Sequence, residues 1–128
     1  MYFALLAALC QAAVPTPQSH LGFTPGDDYK LADYQDISSY FQKLSRTSDR
    51  ILLAEFGKTA MGKPMYIAYI SAPENLKKLD LYRGISRRLA LGEPDEAEAR
   101  KLAAQGKAIV WIDSGLHASE VAPAQHSP

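Results

Sequence analysis

The chain has 128 residues, so one domain is its ceiling, and 47% hydrophobic with 22% charged residues is the composition of a globular protein with a real core. Fourteen Lys and Arg balance fourteen Asp and Glu, which leaves no electrostatic footprint for nucleic acid, and no basic stripe is present. No stretch approaches the roughly 20 apolar residues of a membrane span, so a transmembrane segment is excluded on the same footing.

Residues 1–13, MYFALLAALCQAA, carry no charged side chain and have the length of a signal-peptide apolar region. Cys10 and Ala12 are small residues spaced for cleavage after Ala12, although no Lys or Arg precedes the run. This predicts a secreted or periplasmic protein. Leu9 is too large for a lipoprotein signal before Cys10, the one cysteine, so the cleaved chain would hold no thiol and no disulfide. Residues 14–32, rich in Pro, Gly and polar side chains, read as an extended lead-in, with His20 in solvent.

Regular structure is predicted from Asp33 onward, so the domain is placed at residues 33–128. Ile37, Tyr40, Phe41 and Leu44 form one apolar helical stripe of core residues, with Asp33 as cap and Asp36 a favourable charge in the first turn. Residues 50–59 and 64–71 read as two strands of an antiparallel hairpin turning at Met61, Gly62 and Lys63. Residues 74–91 read as one helix, with Leu79, Tyr82, Ser86 and Leu89 on a face, Gly84 as a weak point, and Arg83, Arg87 and Arg88 on a solvated side. Residues 94–105 make a further helix, acidic at its start and stopped by Gly106. The nearly continuous apolar run at residues 107–113, KAIVWID, predicts a strand covered on both faces, and a new helix is expected from Ala118. The sum is an α/β fold with an incomplete mixed sheet and helices on both faces. Ligand sites of such sheets lie beyond the carboxyl ends of strands, which is where His117 falls.

His117 and Glu120 are three apart, close enough for both to reach one metal ion from a helical turn. Zinc accepts imidazole and carboxylate, and a catalytic zinc keeps three protein ligands plus water. With three His and six Glu in the chain, chance supplies about 0.14 such pairs, so the spacing alone is weak. Without the surrounding sequence, a surface or core imidazole beside a first-turn carboxylate is the plainer reading. His126 lies about 600° around an ideal helix from Glu120 and does not share its face. Asp113 suits a loop cap better than support of the site. Ser119 lacks a nearby base and a nucleophile-elbow pattern.

Context adds to the pair. IVWIDSGLHASE, an apolar strand followed by a loop of small residues, resembles the first metal-binding segment of the zinc carboxypeptidase family (the M14 metallopeptidases), particularly its bacterial secreted members. GKTAMGKPMYIAYIS resembles that family's hairpin, and PENLKKLDLYRGISRRLA followed by an acidic helix and GKAIVWID looks like the same branch. The resemblance runs from about Phe23 to the end. It implies Zn2+ as cofactor, a peptide or protein as substrate, and His117 and Glu120 as the first two zinc ligands. It further implies that the family's second His ligand, its Arg for the substrate carboxylate and its general-base Glu fall beyond residue 128. No residue here inherits those roles, and the chain corresponds to the amino-terminal part of a catalytic domain, inactive alone. Two other readings stay open. An N-acyl amino acid deacylase branch also uses Gly-x-His-x-x-Glu, which GLHASE fits, but it has Gly and Asn where this chain has Ala118 and Ser119. A non-catalytic remnant domain is the other; a clean monomer that unfolds cooperatively would favour it, because an unpaired strand at residues 107–113 invites association.

Overall fold

A computed structural model describes residues 13–117 and 119–128. The expected signal peptide, apart from its last residue, lies outside the described residues, as does Ala118, where the last helix was expected to start.

The lead-in is not wholly extended. Helix α1, Pro17–Leu21, is opened by Thr16, whose hydroxyl accepts from the Ser19 N–H at 3.1 Å, and closed by Gly22 at φ 78°. Thr, then Pro, then a glycine past the end is the ordinary punctuation of a short helix. Helix α2, Tyr34–Thr47, begins with a reciprocal cap. The Asp33 carboxylate accepts from the N–H groups of Gln35 and Asp36 at 2.7 and 2.9 Å, while the Asp36 carboxylate accepts from the Asp33 N–H at 3.0 Å. The predicted stripe does face the core, with Tyr40 only 4% exposed. Its hydroxyl donates to the Pro15 carbonyl at 3.0 Å, and its ring meets those of Phe41 and His20. His20 is therefore half-buried between α1 and α2 rather than in solvent.

The hairpin forms as read. Strands β1, Ile51–Lys58, and β2, Pro64–Ile70, pair antiparallel from Ile51 opposite Ile70 to Lys58 opposite Pro64. Gly62, at φ 76°, donates to the Thr59 carbonyl at 2.9 Å and allows the turn. Phe56 is the extra residue of a bulge between the pairs Glu55–Tyr66 and Gly57–Met65. Helix α2 is fastened to this sheet by the Tyr34 hydroxyl, which donates to the Pro64 carbonyl, and by the Gln42 amide, which donates to the Tyr66 hydroxyl at 3.1 Å.

The single helix expected at 74–91 is two, α3, Pro73–Leu76, and α4, Leu79–Ala90. Asn75 explains the break. Its carbonyl takes the Lys78 N–H at 2.9 Å in a tight turn, and its side chain is held by Ser71 and Tyr82. Ile85, 5% exposed, is the deepest residue of α4; Leu79, Tyr82, Ser86 and Leu89 are half-buried. Helix α5, Glu96–Gln105, is capped by Asp95. Arg88 bridges α4 to Glu98 at 2.8 Å and to Glu93 at 3.7 Å, so it belongs to the α4–α5 junction and not to a purely solvated face. Arg83 does stay on the surface, paired with Asp80.

Residues 107–113 depart from expectation. They form no strand, and Ile109, Val110, Trp111 and Ile112 are 68, 82, 70 and 77% exposed. A strand exists only through a ladder partner, and among the described residues no backbone hydrogen bond reaches this segment. The α/β class with an incomplete sheet is as expected, the sheet among the described residues being the two-stranded antiparallel pair β1–β2.

Helix α6, Val121–His126, starts three residues later than expected. Begun at Ala118, it would put Pro123 in its sixth position, where the ring would strike the Ser119 carbonyl; begun at Val121, Pro123 falls in the first turn, where no N–H is required. Gln125, 8% exposed, accepts the Ala32 N–H at 3.1 Å and ties α6 to the entry of α2. The buried apolar set is small: Ala32, Tyr40, Ile51 and Ile85.

Candidate metal-binding site

His117 and Glu120 meet. The imidazole Nδ1 lies 2.9 Å from a Glu120 carboxylate oxygen, and the side chains are 72 and 50% exposed. The geometry differs from the expected helical turn. Glu120 stands before α6 as its N-cap residue, with extended backbone (φ −95°, ψ 111°), and its N–H donates to the His117 carbonyl at 3.1 Å. That hydrogen bond between the two residues' backbones, rather than a helix, therefore accompanies the meeting of their side chains.

Two contacts fix the loop that carries them. Gly115 has φ 100°, and a Cβ there would lie 2.6 Å from Cβ of Pro123, so the loop passes α6 at a distance only glycine permits. Helix α6 is in turn held by the Gln125–Ala32 hydrogen bond. Sequence reasoning named His117 and Glu120 but missed Gly115, Pro123 and Gln125, which position them. Proline in the first turn was a usable signal; a partner 93 residues away was not.

The donor set suits zinc. One nitrogen and one carboxylate oxygen are ordinary zinc ligands, and at about 2.1 Å from a tetrahedral ion they would stand roughly 3.4 Å apart. The observed 2.9 Å needs an opening of only about half an ångström, within reach of exposed side chains. Among the described residues no group of three or more His, Cys, Asp or Glu converges on one point. His126 is not a third donor to this pair; its Nδ1–H donates to the Pro123 carbonyl at 3.0 Å. Asp113 is exposed and caps nothing, because α6 has no side-chain cap. Ser119 is exposed, and the ring nearest it in sequence is engaged with Glu120.

A second His–hydroxyl pair, His20 Nε2 and Ser39 Oγ at 2.9 Å, also went unseen in the sequence. It resembles a nucleophile and base, but the Ser39 hydroxyl donates to the Asp36 carbonyl at 3.0 Å. With that proton committed to the helix, His20 is the donor and the pair is structural. A concavity of about 310 Å³ between the hairpin and α3, lined by Asp49, Ile51, Leu52, Pro73, Leu76 and Lys77, contains neither member of the metal pair.

A sequence model of the zinc carboxypeptidase family matches residues 37–126, more than two thirds of the chain and inclusive of both His117 and Glu120. Comparison with curated proteins and with solved structures gives no match.

Proposed function

The chain belongs to the zinc carboxypeptidase family, and from that premise we propose that it supplies the first two zinc ligands, His117 and Glu120, of a secreted metallocarboxypeptidase of the bacterial type. The observation that carries the reading is the convergence of an imidazole nitrogen and a carboxylate oxygen within 2.9 Å inside the family-matched region. Zinc bound there supplies Lewis-acid activation of water for peptide hydrolysis. His117 would hold the ion through an imidazole nitrogen and Glu120 through a carboxylate oxygen, so the pair would offer it one compensating charge. The reading takes the chain as the amino-terminal part of a catalytic domain acting on peptides or proteins, and the apolar residues 1–13 support export to the periplasm or beyond.

Two protein donors are fewer than the three of a catalytic zinc, and no general base is identified. The chain alone is therefore expected to bind zinc weakly and to hydrolyse peptides negligibly. Calorimetric zinc titration tests the site. His117→Ala and Glu120→Ala should each weaken binding about tenfold or more, with far-UV dichroism unchanged. Equal affinity in wild type and both variants would remove these residues from the metal site. Zinc-dependent release of carboxy-terminal residues by the purified 128-residue chain would refute its inactivity.

A further inference from the structure

Two segments of the chain close on one concavity away from the metal pair. Residues 49–52, at the entry of β1, and residues 73–77, which form α3 and its end, line a space of about 310 Å³. Four of the lining residues are apolar: Ile51, which is buried, Leu52, Pro73 and Leu76. The other two, Asp49 and Lys77, bear opposite charges.

The walls are tied together by the chain's own hydrogen bonds. The Arg50 carbonyl accepts the Ser71 N–H at 3.0 Å, and the Ser71 hydroxyl accepts from the Asn75 amide at 3.0 Å. The Asn75 side-chain carbonyl accepts in turn from the Tyr82 hydroxyl at 3.3 Å. The break that Asn75 makes leaves Lys77 at the end of α3 rather than inside a continuous helix. The shape is thus set by contacts within residues 49–82.

Neither the Asp49 carboxylate nor the Lys77 ammonium makes an ion pair among the described residues, with each other or with a third group. A lone anion here would meet Lys77 but be repelled by Asp49, and a lone cation the converse. A ligand that satisfies both carries an ammonium for Asp49 and a carboxylate for Lys77. The four apolar residues favour a hydrocarbon side chain on the same ligand. The volume lies at the small end of ligand cavities, roughly 300–1,000 Å³, which suits a single amino acid rather than a peptide.

We propose that this concavity binds a free amino acid with an apolar side chain, its ammonium on Asp49, its carboxylate on Lys77 and its side chain against Ile51, Leu52 and Leu76. Such amino acids are what removal of a carboxy-terminal residue sets free, so the site holds a product of the activity proposed above. That link rests on the zinc reading, whereas the binding does not.

Chemical-shift titration of the full 128-residue chain with L-leucine, run with zinc chelated, tests it. Saturable shifts are expected at the amides of Asp49, Leu52, Leu76 and Lys77. N-acetyl-leucine lacks the ammonium and leucinamide the carboxylate, and each should bind about threefold more weakly or worse. Glycine, with no side chain to bury, should lose as much. Asp49→Asn and Lys77→Gln each remove one charge from an exposed residue and should weaken leucine binding by a similar factor, with far-UV dichroism unchanged. No saturable shift at these amides in wild type overturns the proposal. So does equal binding of leucine and its two blocked forms, or a leucine affinity unchanged in both variants. Zinc titration of the same chain keeps the two readings apart. Absent leucine binding with zinc binding intact removes this site alone, and the reverse removes the zinc site alone.

Discussion

Alanine at Gly115 should unlock α6 from the body of the protein. The substitution carries two costs. A backbone at φ 100° is foreign to an L-residue and strains it by about 1–2 kcal/mol. The new methyl would also sit 2.6 Å from Cβ of Pro123; relieving an overlap of that size in a packed contact costs about 1–3 kcal/mol. Gly92 separates the two terms. It has φ 65°, and a methyl added there would meet nothing within 4 Å, so Gly92→Ala carries backbone strain without the overlap. The cheapest relief for Gly115→Ala is displacement of Pro123, and Gln125 moves with it. The buried Ala32 N–H then loses its acceptor. Native-state hydrogen exchange at Ala32 is the assay. An opening made easier by about 1–3 kcal/mol speeds exchange roughly 5- to 160-fold. Gly92→Ala should leave Ala32 protection unchanged. Equal protection of Ala32 in wild type and Gly115→Ala, or an equal loss in Gly92→Ala, would refute the coupling of loop, proline and glutamine.

Three further outcomes follow from the described contacts. Asp33→Ala removes the acceptor of two N–H groups at the start of α2 and should lower unfolding stability by about 1 kcal/mol in urea denaturation. Gly84→Ala, in mid-helix with open space around the new methyl, should raise stability by about 1 kcal/mol in the same assay. Burial pushes the Tyr40 hydroxyl above its ordinary value of 10.0. Because the folded value is the higher one, Tyr40 contributes stability that is fully present below about pH 10 and is lost as pH rises through the folded value. Denaturation midpoints measured above pH 10 should therefore fall with pH, and Tyr40→Phe should flatten that fall; an equally steep fall in the variant would contradict the assignment.

What was legible in the sequence is what local chemistry decides. The Asp33 cap, the stripe of α2, the hairpin with its turn at Gly62, and the acidic start of α5 all depend on residues within a few positions of one another. The elements that differed depend on partners or on competition. The break at Lys77 and Lys78 arises because Asn75 finds Ser71 and Tyr82, which outweighs the helical preference of a continuous pattern. Arg88 looked solvated until α5 folded back beside it. Residues 107–113 have strand composition, yet composition supplies no ladder partner. His20 was read as solvent-facing because it lies in the lead-in rich in Pro, Gly and polar residues, while its packing partner, Tyr40, is 20 positions on in another helix.

The metal pair itself divides along the same line. Its mutual geometry is local: the hydrogen bond from the Glu120 N–H to the His117 carbonyl and the side-chain contact both lie within four residues. Its placement is not, because Gly115 on Pro123 and Gln125 on Ala32 are what hold the loop against the fold. The pair does not depend on residues 107–113 being in a sheet, since no hydrogen bond or ion pair of either side chain reaches them among the described residues. Pairing of that segment with any further strand would thus change what precedes the site without altering the spacing of its two donors. Zinc affinity should accordingly respond to substitution of His117 and Glu120 and be indifferent to substitution of Lys107 and Asp113.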